Sequence, residues 1–148
     1  MCIDDTYSNG LLIGHRGFVG SNLALETSLE IKNKVGREEI RSLKDRKYDF
    51  IYCAAPQSKK WLANKNPSFD KSQINLLIDS LSNISCNKKI FLFSTVDVYS
   101  PPINCDEDSS FSDDIHPYGE HRRILERSLK EIFNEKLIIM RLPALIGN

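Results

Sequence analysis

The chain lacks any apolar run approaching the ~20 residues that a bilayer-spanning helix requires, so nothing in it points to a membrane. It also lacks net charge, with 20 basic residues against 20 acidic ones. That balance gives no support for nucleic acid or an anionic lipid surface as a partner. Cysteine is sparse. Cys2, Cys53, Cys86 and Cys105 form no CxxC pair and no cluster with histidine, which excludes a zinc ligand set and a disulfide framework. No metal is expected, and the thiols suit a reduced, cytoplasmic protein. The opening MCIDDTYSNG is acidic and polar, unlike a secretory signal. Repeats and low-complexity tracts are absent too.

Enough apolar material is present to build a core: 41% of 148 residues, read as a single domain over 1–148. Short apolar runs alternate with helical patterns. Strands are expected at Gly10–Ile13, around Leu29–Val35, at Phe50–Ala55, Lys89–Ser94 and Leu137–Met140. Helices are expected over Asn22–Ser28 and Glu38–Arg46, from Pro67 onward with Ile74, Leu77, Leu81 and Ile84 on one face, and over Tyr118–Asn134. Ser100–Pro117 reads as a loop. Such alternation predicts an α/β, doubly wound parallel sheet with helices on both faces. Ligands of these sheets bind beyond the carboxyl ends of the strands. Attention therefore falls on Gly14–Gly20, Ala54–Lys60, Thr95–Tyr99 and Leu142–Asn148.

The stretch LLIGHRGFVGSNL sets Gly14, Gly17 and Gly20 between the first strand and the first helix. Glycines there permit an unusual turn and let a pyrophosphate approach the backbone and the unpaired N–H groups of the helix start. The spacing is GxxGxxG; a merely tight strand–helix turn would also account for it. Dinucleotide binders specific for NAD usually carry an acid at the end of the second strand. Here that region reads KNKVGREE, with Lys34 and Arg37 ahead of Glu38, and Arg16 lies inside the glycine loop. Arginines beside the adenosine ribose suit a 2′-phosphate, so NADP is favoured over NAD. Lys34 and Arg37 equally suit an ordinary solvated face.

A second constellation follows. FLFSTVDVYS puts Ser94 and Thr95 at the end of a buried strand, and HPYGEHRRILE sets Tyr118 and Arg122 four residues apart on one helical face. A phenol near pKa ~10 is a poor base at neutral pH, and a cation beside it is expected to lower that value. Tyr118 could then exchange a proton with a sugar hydroxyl while hydride moves to or from a nicotinamide, with Thr95 hydrogen-bonded to the reacting oxygen. His121 is expected on the surface, pointing away from Arg122.

With these motifs in this order, the sequence resembles the extended short-chain dehydrogenase/reductases of the NAD-dependent epimerase/dehydratase type, a Rossmann-like three-layer αβα fold. GHRGFVGSNL is similar to the glycine loop of that family, CAAP to its post-strand alanines, STVDVY to its Ser/Thr motif, PYGEHRRILE to its YxxxK helix, and RLPALIGN to the segment leading into its substrate region. Asn75 stands where the family has a helical asparagine. The resemblance implies a catalytic unit of Thr95, Tyr118 and Arg122, with arginine where the family has lysine. It implies coenzyme contacts from Gly14, Arg16, Gly17, Phe18, Val19, Gly20, Arg37, Ala54, Ala55, Tyr118 and Arg122. Substrate contacts are expected from Lys60, Trp61 and Asp97. The implied work is epimerisation, dehydration or reduction of a nucleotide sugar, by a homodimer formed through the helices around Tyr118; a non-catalytic NAD(P)-binding module is the alternative. The resemblance also implies a chain that ends after a sixth strand, before the family's substrate-binding lobe.

Overall fold

Four consecutive buried residues, Gly10–Ile13, form β1, and an element buried along its whole length belongs in the middle of a sheet. The computed structural model describes residues 9–144 and puts it there. Cys2 and Leu145–Asn148, the end of the RLPALIGN segment, lie outside the described residues. From β1 the chain passes through α1 (Phe18–Leu23) to β2 (Ile31–Val35), then to β3 (Lys47–Cys53) on the other side of β1. Next come α2 (Lys60–Lys65), α3 (Pro67–Ser82), β4 (Ser85–Thr95), α4 (Pro117–Phe133) and β5 (Leu137–Leu142). The sheet is parallel throughout, in the order β2-β1-β3-β4-β5. Right-handed crossovers in opposite directions set α1 and the α3/α4 pair on opposite faces.

The main core lies between the sheet and α3 and α4. Leu11, Ile13, Ile51, Cys53, Ile90 and Leu92 meet Ile74, Leu77 and Leu81 of α3 and Leu125, Leu129 and Phe133 of α4. Both long helices begin on a proline, which needs no N–H partner in the first turn. Asn66 caps α3 by accepting from the Phe69 N–H at 3.3 Å, and His116 Nδ1 accepts from the Gly119 N–H at 3.1 Å to cap α4.

Four expectations are corrected. The described residues hold five strands, not six: segment 36–46, between β2 and β3, contains a single 3₁₀ turn (Ile40–Leu43) and no further strand. That turn also replaces the helix expected over Glu38–Arg46. The first helix starts at Phe18 rather than Asn22, because Gly17 is its N-cap. Ser21 and Asn22 bond their side chains back to the Phe18 carbonyl at 3.0 and 2.8 Å, a habit that suits helix ends and breaks more than interiors. Finally, α2 lies where no helix was expected; its polar sequence KWLANK buries only Ala63 and so carries no helical stripe.

Candidate functional site

The chain reverses direction across the sheet between β1 and β3, and the crevice at their carboxyl ends is where ligands of open α/β sheets sit. Two hollows meet there. One, of about 280 Å³, is lined by Gly14, Arg16, Gly17, Gly36–Glu38 and Ala54–Lys59. The other, of about 480 Å³, is lined by Gly17, Phe18, Val19, Ala54, Lys60, Thr95, Asp97, Tyr118 and Arg122, among others. Gly17 and Ala54 belong to both, so the two form one groove with a waist at the glycine loop. A larger open hollow of about 820 Å³ lies at the opposite end of the sheet, beside Ser85, Phe133 and Lys136, and holds none of these groups.

The three glycines divide by cause. Gly14 has φ +85°, and a Cβ there would lie 2.5 Å from the Ala54 carbonyl oxygen. A Cβ on Gly20 would run into the Gly14 carbonyl. The fold therefore requires both. Gly17 differs: its φ is −80°, and a Cβ would meet only the Gly14 oxygen at an ordinary 3.6 Å. Among the described residues nothing demands a glycine at Gly17. It faces the groove at the start of α1, where the first N–H groups have no helical partner and no side chain caps them. That leaves open backbone at the waist of the groove.

At the wider end, Thr95, Tyr118 and Arg122 line the same hollow. The Tyr118 N–H donates to Asn64 Oδ1 of α2 at 2.9 Å, which fixes the start of α4 against the groove. Thr95 Oγ1 accepts from the Asp97 N–H at 3.1 Å and donates to Asp97 Oδ2 at 3.2 Å. Its neighbour Ser94 lines the same hollow, and its hydroxyl donates to the buried Glu126 at 2.6 Å.

Arg122 is not a free cation. Its side chain is 2% exposed and doubly bonded to Asp70 of α3, Nη1 to Oδ2 at 2.6 Å and Nη2 to Oδ1 at 3.1 Å. Nη2 also donates to the Gln57 carbonyl at 2.6 Å, while the buried Nε has no partner. The guanidinium lies over the Tyr118 ring, 4.2 Å from its centroid. Burial pushes the Tyr118 phenol above its ordinary range; Arg122 and Thr95 pull it down and Asp97 pushes it up. The expectation of a lowered phenol is thus corrected: desolvation outweighs the cation. His121 is corrected too. It is buried, with Nδ1 2.7 Å from Asp70 Oδ2. Burial alone would raise the Asp70 carboxyl, but hydrogen bonds from Arg122 and His121 hold it below the usual range. The sequence reading missed Asp70 entirely; its only local signal is an acid in the first turn of a proline-started helix.

At the other end Arg16 pairs with Glu38 at 4.0 Å and Glu39 at 3.7 Å, and Glu39 also accepts the Gly36 N–H. Arg37 lines the hollow. Lys60 Nζ lies 2.6 Å from Asp97 Oδ1. Trp61 is 65% exposed and lines neither hollow, and Asn75 sits on the exposed face of α3. Among the described residues no group of three or more His, Cys, Asp or Glu could hold a metal ion, and no helix is long and apolar enough to cross a membrane.

No protein-family model and no curated protein matches the chain. Solved structures do. A dTDP-4-dehydrorhamnose reductase from Yersinia enterocolitica superposes with a TM-score of 0.72 at 16% identity, over 95% of this chain and 54% of that one. The fold is that of the nucleotide-sugar reductases and epimerases. A dTDP-4-dehydrorhamnose reductase from Bacillus anthracis in complex with NADP gives 0.66 at 16% identity, over 95% of this chain and 55% of that one. A UDP-glucose 4-epimerase from Thermotoga maritima with UDP-glucose gives 0.58 at 17%, over 90% and 54%. The chain thus spans about half the length of the structures it matches.

Proposed function

We propose that the chain is the coenzyme-binding part of an NAD(P)-dependent enzyme of the nucleotide-sugar epimerase/dehydratase/reductase type. One observation carries this reading: Gly17, a glycine the fold does not require, stands at the waist of a groove that has Thr95 and Tyr118 at one end and Arg37 at the other. Gly14, Gly17 and Gly20 form the pyrophosphate turn, with Phe18, Val19, Ala54 and Ala55 along the groove. Arg37, with Arg16 beside it, takes an adenosine 2′-phosphate, so NADP is the preferred coenzyme; the Glu39 carboxylate is already engaged by Gly36 and Arg16. When bound, the nicotinamide supplies hydride transfer. The protein's part is to move one proton: Tyr118 gives it to, or takes it from, the reacting sugar oxygen, which Thr95 holds. A phenol kept above its ordinary range stays protonated at neutral pH, which suits donation to an oxygen gaining charge, the reductive direction.

The same reading places residues 1–148 in one Rossmann-type domain, with activity in the cytoplasm. The free thiols of Cys53, Cys86 and Cys105 fit such a compartment. It includes pairing of two copies through the helices around Tyr118. The capture of Arg122 by Asp70 favours a second reading, a module that binds coenzyme without turnover. Titrating the purified chain with NADPH and NADH, followed by coenzyme fluorescence, tests the proposal. Saturable binding with NADPH preferred is expected; a folded chain that binds neither overturns it.

A further inference from the structure

Arg122, the cation the sequence sets beside Tyr118, lines the groove over the Tyr118 ring and is paired with Asp70. A second cation lies in the same groove, on a different element. Lys60, at the start of α2, has its side chain about half exposed, and Nζ meets Asp97 Oδ1 at 2.6 Å. The other oxygen of Asp97 accepts from Thr95 Oγ1 at 3.2 Å. His116 Nε2 lies 3.7 Å from Asp97 Oδ1, and its ring stacks 6.2 Å from that of Tyr118. Lys60, Thr95, Asp97 and Tyr118 line one hollow. The Asp97 carboxylate therefore links the Lys60 ammonium to the Thr95 hydroxyl, in the hollow that Tyr118 also lines.

Charge determines what this arrangement does. A carboxylate near a buried phenol opposes its ionisation, and an ammonium bonded to that carboxylate cancels the opposition. Burial and the Lys60 charge together lower the His116 imidazole, so the ring is neutral around pH 7 and leaves Lys60 as the countercharge to Asp97. The groups around Tyr118 are then Arg122 from its own helix, His116 before it, Thr95 at the end of β4, Asp97 in the 3₁₀ turn that follows, and Lys60 from α2 in the same hollow.

We propose that Lys60 is a second positioning residue for Tyr118, acting through Asp97 from the opposite wall of the groove to the buried Arg122. This rests on the reading of Tyr118 as the proton-transferring group, yet its test needs neither substrate nor coenzyme. The chain carrying ¹³Cζ-labelled tyrosine is titrated by NMR, with Tyr118 assigned from its absence in Tyr118→Phe. In Lys60→Met the Tyr118 midpoint should rise by about one pH unit, because Asp97 is left uncompensated; in Asp97→Asn it should fall by a similar amount. Lys60 is partly exposed, so its replacement leaves the fold intact. Opposite shifts in the two variants establish charge coupling. Shifts in the same direction, as loosened packing would give, or no shift in either, overturn the proposal. Coenzyme titration is independent: a chain that failed to bind NADPH while showing the opposite shifts would defeat the functional reading and leave this coupling standing.

Discussion

Replacing Asp70 with asparagine keeps the side chain's shape and removes its charge. Asp70 is 5% exposed and receives two bonds from Arg122 and one from His121, tying α3 to α4. The variant leaves a guanidinium buried against the Tyr118 ring without a countercharge, its remaining acceptors being the Gln57 carbonyl and one amide oxygen. Breaking one partner of a buried ion pair costs about 3–5 kcal/mol, because the remaining charge has nowhere to be solvated. For a chain of this size that corresponds to a melting temperature lower by roughly 10–20 °C. Urea unfolding at pH 7, followed by far-UV circular dichroism, measures it. The pH dependence supplies a second check. The folded-state carboxyl is held below its unfolded value of about 3.9, so its contribution is present above that value and disappears as pH falls through the folded pKa. The gap between wild type and Asp70→Asn should therefore be full at pH 6–7 and shrink below about pH 4. A gap under about 1 kcal/mol at pH 7, or one that widens on acidification, would refute the reasoning.

Other substitutions separate the roles in the groove. Tyr118→Phe should lower turnover of a nucleotide sugar at least ~100-fold while leaving NADPH affinity within about threefold, by steady-state kinetics on the enzyme as it occurs and fluorescence titration. Unchanged turnover would remove Tyr118 from the chemistry. Arg37→Met should cut the NADPH-over-NADH preference about tenfold or more, while Glu39→Gln, which removes one of the two carboxylates beside Arg16, should widen it; competition binding reads both. Trp61→Ala should change coenzyme affinity by less than about twofold, since the indole lies outside both hollows.

Much of the architecture was legible because it is local. The runs GLLI and KIFLFS are apolar enough to be buried strands on their own, and Pro67 and Pro117 mark helix starts whatever lies around them. The glycine loop was readable by position, but the split among its three glycines was not: only the backbone shows that Gly14 and Gly20 answer to packing and Gly17 does not. Partnerships were hidden by distance along the chain. Asp70 and Arg122 are 52 residues apart, and Lys60 and Asp97 are 37 apart; no spacing rule links them. The phenol was misjudged for a related reason. A nearby cation is visible in the sequence, whereas the desolvation that outweighs it comes from burial. His121 was set on the surface by its spacing from Arg122, yet both reach one carboxylate on the facing helix, because neighbours in sequence can converge on a third residue.

The central claim is that the groove holds a dinucleotide whose pyrophosphate lies against Gly17. The most direct measurement is a parallel NADPH titration of wild type and Gly17→Ala, with thermal melts of both. At a φ of −80° and with only the Gly14 oxygen near the new methyl, alanine should leave stability within about 1 kcal/mol. The account predicts saturable binding by the wild type, and at least tenfold weaker binding by an equally stable Gly17→Ala. Equal NADPH affinity in the two proteins, or none in a folded wild type, would contradict it.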